Sequence, residues 1–287
     1  MPNQPTHLDR GALALIELAL AEDIGSGDIT TLATVPANRQ ATGRFLVKQP
    51  GVISGLAVVV AVYGRVDARV VVNLLVADGA RVEPGTIIAT VSGPAQALLS
   101  GERVALNFLQ RLSGVATVTA AYSRRVAGTK ARVIDTRKTT PGMRTLQKQA
   151  IRDGGGHNHR LGLADGILIK DNHLAAIGGP DRIAQAVAAA RERAPHTLRV
   201  EIEVTSLDEL QQALDAGADI ILLDNMDAPT MAEAVRRTAG RALLEASGGI
   251  TLDTIRAIAE TGVDLISVGA LTHSAPALDI SLDFDVS

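Results

Sequence analysis

The sequence predicts an α/β protein in which an α+β unit is followed by a parallel sheet or barrel. After Lys130, apolar runs of strand length alternate with helical stretches, whereas the first 115 residues or so show no such alternation. In several later segments, similar residues precede and follow the apolar run, as in LADGILIKDN, AGADIILLDN and TGVDLISVGA. Right-handed crossovers would wind a β/α repeat of this spacing into a parallel sheet or a barrel.

The N-terminal part combines a helix with β-rich segments. An apolar run at 12–21 has acidic flanks and only a weak cationic start, so it predicts an amphipathic helix rather than a signal peptide. Strands are predicted at 41–48, 69–76 and 86–91, and the turn signals Asp78-Gly79 and Pro84-Gly85 separate the last two. This pattern favours antiparallel hairpins.

A helical region is predicted from Ala95 to Ala127. Leucine and alanine recur there at helical spacing, and the Ser113-Gly114 pair interrupts the pattern. We therefore expect two successive helices that join the N-terminal unit to the repeat.

The repeat that follows contains six predicted buried strands, and a seventh is left open. The strands are expected at 132–134, 166–169, 198–204, 219–223, 242–244 and 264–268, with helices between them, such as 182–194 and 207–216. In a parallel barrel the carboxyl ends of all strands reach the same face, where catalytic residues gather.

Polar residues follow nearly every predicted strand. Cations follow the early strands and carboxylates end the later ones, so one barrel mouth would collect both kinds of charge. In chain order, the residues at these strand ends are 135–138, 170–173, Glu201 with Glu203, 224–225, 245–247 and 269–270. Ordinary strand-end capping would explain one or two of these groups but not the whole set.

The stretch 135–160 is the clearest candidate for an anion site. It carries six of the 28 Lys and Arg residues of the chain beside two histidines and the run Gly154-Gly155-Gly156. Arginine suits carboxylate and phosphate, and consecutive glycines allow close backbone approach. A solvated basic helix is the alternative, and we keep it for Arg144, Lys148 and Arg152.

The last strands are followed by glycine-rich turns. Backbone N–H groups in such turns bind phosphate, and barrels often place a phosphate site there. On neighbouring strands, Glu203 and Asp224 offer the oxygen ligands that Mg²⁺ prefers, with structural carboxylates as the alternative. We expect a phosphorylated ligand whose other end faces the cations of the early strands.

Composition excludes several other classes of function. The net charge is −3, so no nucleic-acid footprint is expected, and an aromatic content of 2% offers few stacking platforms for single strands. The chain has no cysteine, which excludes disulfides and thiolate catalysis and agrees with a cytoplasmic location. No apolar run reaches the roughly 18 residues of a membrane span, so no membrane partner is expected.

Taken together, the motifs resemble those of the quinolinate phosphoribosyltransferase family, also called nicotinate-nucleotide pyrophosphorylase (carboxylating). The resemblance covers nearly the whole chain, and DTRKTTPGMR followed by GGGHNHRLGL is its most specific part. The other segments that carry it are EDIGSGDIT, ERVALNFLQRLSGVAT, ILIKDNH, EIEV, ILLDN, EASGG and VGALTHS.

The resemblance implies a two-domain fold and a dimer. It implies an N-terminal α/β sandwich at 1–115, completed by 274–287, and an incomplete (β/α) barrel of parallel strands at 116–273. Two subunits would pair head to tail as a homodimer with shared active sites, and assembly beyond the dimer stays open. Arg103, whose local sequence gives it no role, would then reach the substrate of the partner subunit.

The resemblance also implies roles for individual residues. Quinolinate would be bound by Arg103, Arg137, His159, Arg160 and Lys170. Lys138 would lie between quinolinate and the phosphoribosyl donor as a catalytic residue. Glu203 and Asp224 would lie near the ribose and Mg²⁺ and stabilise developing positive charge. Ser247, Gly248, Gly269 and His273 would bind the 5′-phosphate.

The implied reaction belongs to NAD biosynthesis. It joins quinolinate to 5-phosphoribosyl-1-pyrophosphate and gives nicotinate mononucleotide, pyrophosphate and CO₂, with Mg²⁺ and no organic cofactor. Three alternatives stay open: a related phosphoribosyltransferase of molybdate transport clusters, a barrel aldolase that forms a Schiff base at Lys170, and a sensor that binds phosphorylated metabolites without turnover.

Overall fold

The computed structural model describes residues 8–285, and the chain packs as two compact units. Unit 1 contains the described residues up to Ala120, the segment Thr139–Gly155 and the residues from Leu271 onward, and unit 2 contains Ala121–Lys138 and Gly156–Ala270. The domain limits expected from the sequence stay a prediction, because a packing unit is not a sequence domain. Residues 1–7, 286 and 287 of those limits lie outside the described part.

The main sheet of unit 1 is antiparallel and has four strands in the order β12-β1-β5-β3. Along β1, residues that face inward alternate with exposed ones, as expected for a sheet with one covered face. A separate pair joins β2 to β4. The strands are β1 (Gln40–Val47), β2 (Gly51–Val52), β3 (Val71–Leu74), β4 (Arg81–Val82), β5 (Ile87–Pro94) and β12 (Ile280–Asp285).

Two helices of this unit begin at aspartate caps. The first, α1 (Arg10–Ile24), begins at Asp9, whose carboxylate accepts the N–H of Ala12 at 2.7 Å. Such a cap satisfies one of the backbone donors that a helix start leaves unpaired. The other helices that lie wholly or mostly in unit 1 are α2 (Ile29–Thr34), α3 (Leu56–Val66), α4 (Ala95–Arg125) and α5 (Arg144–Asp153).

The prediction of two helices between Ala95 and Ala127 is wrong, because α4 is continuous. The Ser113-Gly114 pair serves packing instead. A Cβ atom on Gly114 would lie 1.9 Å from the carbonyl oxygen of Pro276, so only glycine lets this segment approach the helix. Ser113 is fully buried and its hydroxyl accepts the N–H of Ser54 at 3.1 Å.

The solvated-face interpretation of α5 is wrong for Lys148, which is only 3% exposed. One reason is that the helix packs within unit 1 through Gln147, which is fully buried. The Gln147 amide donates to Thr140 Oγ1 at 3.1 Å and to the carbonyl of Thr272 at 3.3 Å, and it accepts the N–H of Thr140 at 2.9 Å. Arg152, in contrast, is exposed.

Unit 2 contains a parallel sheet of six strands in the order β6-β11-β10-β9-β8-β7. Its edge strands are the first two in the sequence, so within the described residues the ring is open between them. The predicted incomplete barrel with an N-terminal α/β sandwich is confirmed. The strands are β6 (Arg132–Ile134), β7 (Ile167–Ile169), β8 (Val200–Val204), β9 (Ile220–Asp224), β10 (Leu243–Ser247) and β11 (Leu265–Ser267).

The six predicted strand positions of the repeat are confirmed, with ends that shift by a few residues. These strands are buried on both faces, which explains their apolar runs. The connecting helices are α6 (Asp171–Ile177), α7 (Arg182–Arg193), α8 (Leu207–Asp215), α9 (Ala228–Thr238) and α10 (Ile255–Glu260), and α11 (Ala270–His273) begins at the last residue of unit 2. Among the described helices, each is too short or too polar to cross a membrane.

Candidate functional site

One edge of the parallel sheet carries a cavity that collects residues from most strands. Six of the sequence-predicted site residues line it, namely Arg137, Lys138, His159, Arg160, Lys170 and Ser247. Five further residues complete the wall: Thr136, Leu168, Leu222, Glu245 and Ser267. The structure therefore brings the expected cations to one place at the carboxyl ends of the strands.

A buried aspartate at the end of β6 positions the segment that carries His159 and Arg160. Asp135 is 0% exposed and accepts the backbone N–H of His159 at 2.8 Å and the amide of Asn158 at 2.7 Å. His157 pairs with Ile134 as an isolated parallel bridge. The segment 157–160 thus runs beside β6 and enters the opening of the barrel.

Two arginines form the cationic wall of the cavity. Burial and, next in importance, the positive charge of Arg137 lower the pKa of Arg160 from its usual value. The Arg160 guanidinium also donates to the carbonyl of Gly166 at 2.8 Å, which fixes its direction. Two guanidinium groups held this close repel each other, so the arrangement is stabilised by an anion with more than one negative charge.

Lys170 occupies the end of β7 and forms an ion pair with Glu203 of β8. Its ammonium lies 2.5 Å from Glu203 Oε2. Glu203 and Asp224 project toward the same face of the sheet, because Glu203 pairs with Leu222 and Asp224 lies two residues further along β9. Asp224 accepts the side-chain amide of Asn225 at 2.8 Å.

The donors of Glu203 and Asp224 fit Mg²⁺ in chemical type. Both offer hard carboxylate oxygens, and Mg²⁺ is commonly held by one or two carboxylates together with substrate phosphates and water. Within the residues that the structure describes, the group of three close metal-capable side chains is a different one: His159, Glu201 and Glu245.

That second group lies inside the barrel. His159 Nε2 lies 3.1 Å from Glu201 Oε2 and 3.7 Å from Glu245 Oε2. The other oxygen of each glutamate is buried and has no hydrogen-bond partner. Burial and then the charge of Glu201 raise the pKa of Glu245 well above its usual value, against weaker opposing effects of Ser267 and Lys170.

Glycine turns follow the last strands, as predicted. Gly248 directly follows β10 with a φ of 94°, and a Cβ atom there would lie 2.2 Å from Asn225 Oδ1. The position therefore requires glycine for both its backbone conformation and its close approach to Asn225. Gly269 follows β11 in unit 2, and α11 begins at the next residue.

Two predicted site residues, Arg103 and His273, belong to unit 1. The first is exposed on α4 and has a long ion pair of 3.9 Å with Glu102. His273 Nδ1 and Ser274 Oγ lie 2.5 Å apart at the end of α11. The structure thus gives each of them a local place in unit 1, and their predicted roles stay predictions.

Sequence reasoning left two buried contributors without a role. The sequence predicts Asp135 only as one of the strand-end residues and Glu245 only as one of the carboxylates at the barrel mouth. Both had a visible signal, since a carboxylate inside or directly after an apolar parallel strand lies in a buried layer and needs partners there.

Comparison with known proteins agrees with this architecture. The family models for the quinolinate phosphoribosyl transferase N-terminal and C-terminal domains match residues 28–113 and 115–283. The probable nicotinate-nucleotide pyrophosphorylase (carboxylating) of Bacillus subtilis is 44% identical over 266 residues, which cover 93% of this chain and 91% of that protein.

Further similarity comes from a second relative and a solved structure. The nicotinate-nucleotide pyrophosphorylase (carboxylating) of Mycobacterium leprae is 49% identical over 276 residues, covering 93% of this chain and 95% of that one. The crystal structure of NadC from Streptococcus pyogenes superposes with a TM-score of 0.92 at 41% identity and covers 98% of this chain and 99% of that chain.

Proposed function

Because the chain belongs to the quinolinate phosphoribosyltransferase family, we infer that it is a decarboxylating phosphoribosyltransferase of NAD biosynthesis. It joins quinolinate to 5-phosphoribosyl-1-pyrophosphate and gives nicotinate mononucleotide, pyrophosphate and CO₂. The names of its relatives state this activity for those proteins, and the cavity of unit 2 has the charge that this substrate requires.

The observation that carries the assignment is the pairing of Arg137 and Arg160 in one cavity. Both line the cavity, and the positive charge of Arg137, after the larger effect of burial, lowers the pKa of Arg160, which indicates two close positive charges. Quinolinate carries two adjacent carboxylates on a flat ring, and arginine binds carboxylates in a planar, bidentate manner. We assign the two carboxylates to these arginines, with Lys170 and His159 on the same side of the ring.

The chemistry then needs positioning more than a protein nucleophile. The pyridine nitrogen attacks the anomeric carbon of the ribose as pyrophosphate leaves. The bond between C2 and the 2-carboxylate then breaks. The positive charge of the quaternised nitrogen stabilises the electron pair that this leaves on C2. Holding the nitrogen in line with the anomeric carbon removes much of the entropic barrier. A fixed negative charge stabilises the positive charge that develops on the ribose.

Lys138 would lie where the two substrates meet and contact both of them. It follows Arg137 directly in the sequence and lines the same cavity as Lys170. A lysine ammonium is a compact charge that suits a phosphate or pyrophosphate oxygen. We assign to Lys138 the contact between quinolinate and the donor.

The carboxylates of Glu203 and Asp224 would face the ribose and hold Mg²⁺. When bound, the ion neutralises charge on the pyrophosphate group. The carboxylates themselves stabilise positive charge that develops on the ribose ring during transfer. Lys170 keeps Glu203 in place through their ion pair.

The turns after β10 and β11 would bind the 5′-phosphate. Ser247 lines the cavity, and Gly248, with its positive φ, makes the turn after β10 whose backbone N–H groups would bind the phosphate. We add Gly269, which lies in the corresponding turn after the neighbouring strand β11, whereas the phosphate role of His273, a residue of unit 1, stays a prediction.

Two further statements are proposals of assembly and location. The exposed position of Arg103 on α4 supports a homodimer in which this residue enters the active site of the partner subunit. The cysteine-free sequence supports a cytoplasmic location. The aldolase alternative loses support, because Lys170 Nζ contacts Glu203 Oε2 at 2.5 Å, whereas a Schiff-base lysine must present its nitrogen to a carbonyl carbon.

A turnover assay tests this function. The enzyme is incubated with quinolinate, 5-phosphoribosyl-1-pyrophosphate and Mg²⁺, and nicotinate mononucleotide, pyrophosphate and CO₂ are quantified. Equal amounts of the three products are expected. A matched reaction with nicotinate, which lacks the 2-carboxylate, should be slower by about a hundredfold in kcat/KM. Binding without pyrophosphate release would instead support the sensor, and turnover of another acceptor alone would support the related transferase.

A further inference from the structure

Glu245 lies between two cavities of unit 2. On one side it lines the cavity of the cations, beside Leu168 and Leu222. On the other side it lines a second cavity of about 440 Å³ at the amino ends of the strands, which includes the exposed residues Thr197 and Arg199. That volume holds several water molecules, since each needs only about 30 Å³. Glu245 could therefore release a proton into the substrate cavity and take up another from water in the second cavity.

The proposed reaction requires a proton at a position that no assigned residue serves. When the 2-carboxylate leaves as CO₂, the bond between C2 and the carboxylate carbon breaks, and its electron pair stays on C2 next to the positive nitrogen. That pair must take up a proton to give the product. The residues assigned above bind or position the substrates, and none of them is assigned to supply this proton.

We propose that Glu245 is the general acid that protonates C2 after decarboxylation. The inference rests on the proposed function. The proton passes from the Glu245 carboxyl group to C2, which leaves Glu245 as a carboxylate. Water in the second cavity then returns a proton to it. The balance is one proton consumed for each CO₂ released, and no oxidant, reductant or nucleophile is needed.

The surroundings keep Glu245 protonated before the reaction. The residue is 1% exposed, and one of its oxygens is buried without a hydrogen-bond partner. Burial, followed by the charge of Glu201, raises its pKa. A neutral carboxyl group also avoids repelling a dianionic substrate. The groups that face it from the surrounding elements are His159 and Arg160, Glu201 of β8, Ser267 of β11, Lys170 after β7, and Arg137 and Lys138 after β6.

After the proton transfer, the surroundings of the Glu245 carboxylate favour its reprotonation. The Glu201 carboxyl group lies in the same cluster with Glu245 and His159, and two adjacent buried carboxylates destabilise each other. Reprotonation from the second cavity removes that repulsion. The same pair of glutamates thus both stores the proton and resets the acid for the next turnover.

The first test compares Glu245→Gln with Glu260→Gln, a matched substitution at a side chain that is 56% exposed on α10. Wild-type turnover of quinolinate is measured first, because its absence would refute the proposed function and not this inference alone. We expect Glu245→Gln to lower kcat by about a hundredfold, the usual range for loss of a general acid. The Kd of quinolinate should stay within about threefold of wild type, and Glu260→Gln should behave as wild type.

A second readout separates proton donation from a structural role. In an equal mixture of H₂O and D₂O, the ratio of hydrogen to deuterium at C2 of the product reports the immediate donor. Mass spectrometry should give the same ratio for wild type and Glu260→Gln and a different one for Glu245→Gln, where water replaces the acid. An unchanged ratio, or a kcat within about threefold of wild type, overturns the proposal.

A conservative variant covers the case in which Glu245→Gln does not fold. Glu245→Asp keeps the acid but shortens its arm by one methylene group. We expect it to retain the wild-type isotope ratio while kcat falls by about tenfold, because the proton must travel further. A wild-type kcat in Glu245→Asp, or a changed isotope ratio, overturns the proposal.

Discussion

The Asp135 carboxylate accepts the backbone N–H of His159 at 2.8 Å, although 24 positions separate the two residues. This hydrogen bond places His159 and Arg160 beside Arg137 and Lys138, which lie two and three residues after Asp135. The most specific sequence motifs of the chain, DTRKTTPGMR and GGGHNHRLGL, are thus held beside each other by the buried carboxylate of Asp135.

Replacing that acid should disturb substrate binding before it disturbs the fold. In Asp135→Asn the side chain still accepts the His159 N–H, but its amide faces the amide of Asn158, so one hydrogen bond is lost. We expect the KM for quinolinate to rise about tenfold and the free energy of unfolding to fall by about 2 kcal/mol. Steady-state kinetics and urea denaturation measure both.

The reciprocal exchange is the control for this prediction. In Asp135→Asn combined with Asn158→Asp, the amide and the carboxylate change places and the hydrogen bond forms again. Recovery of most of the lost KM supports the positioning role. A double variant no better than Asp135→Asn would contradict it.

A second prediction concerns the continuous helix α4. Gly114→Ala places a methyl group 1.9 Å from the Pro276 carbonyl, so the segment that carries Pro276 must move. We expect a loss of about 3 kcal/mol in the free energy of unfolding, the usual scale for overpacking a tight contact. Gly64→Ala, in α3 where a Cβ atom meets nothing within 4 Å, is the control and should not destabilise. Equal stability of both variants would show that the contact is not needed.

A third prediction follows from Asp78, whose pKa burial raises to about 6. A carboxyl group that binds its proton more tightly in the folded state favours folding at low pH. Its contribution is lost as the pH rises from the unfolded pKa of about 4 through the folded value. Asp78→Asn should therefore increase stability at pH 7 by about 2 kcal/mol and flatten the pH dependence between these values.

The control for Asp78 is Asp215→Asn, which removes a carboxylate whose side chain is 65% exposed. Urea denaturation across the pH range should give the wild-type profile for it. An unchanged slope in Asp78→Asn would mean that the burial of this acid is not what sets the pH dependence. The asparagine oxygen can still accept the N–H of Leu56, so that one of the two backbone hydrogen bonds of Asp78, from Leu56 and Gly55, is kept.

A fourth prediction tests whether active sites are shared. Arg103→Ala and Arg137→Ala subunits are co-expressed with different tags, and the mixed dimer is purified. If Arg103 enters the partner's site, each mixed dimer has one intact site and one with both changes. Activity should return to about half of wild type per dimer, while each parent stays low. A mixed dimer as inactive as its parents would refute sharing.

The sequence predicted much of the fold because its patterns are local. Strand positions in unit 2 follow from apolar runs, and the cations follow from their place after those strands. The continuity of α4 was not predictable in this way, since the role of Gly114 depends on the Pro276 segment far along the chain. The burial of Lys148 likewise depends on contacts that α5 gains only after folding.

The site was predictable only in part for a similar reason. Arg137, Lys138, His159, Arg160 and Lys170 were identified because charged residues next to glycines and strand ends are visible in the sequence. The pairing of Glu201 with Glu245 was not, because it joins two strands that are separated by β9 and depends on the position of His159 between them.

The most direct test of the central claim, that the cation cavity binds the dicarboxylate, is kcat/KM for quinolinate in Arg137→Ala and Lys138→Ala at saturating phosphoribosyl donor. Arg137 and Lys138 are exposed, but a bound substrate would desolvate them, and loss of one partner of such a charge pair costs about 3 kcal/mol, a fall of about a hundredfold. The account predicts a fall of that size in both variants, with unchanged thermal stability. Values near wild type in both would contradict it.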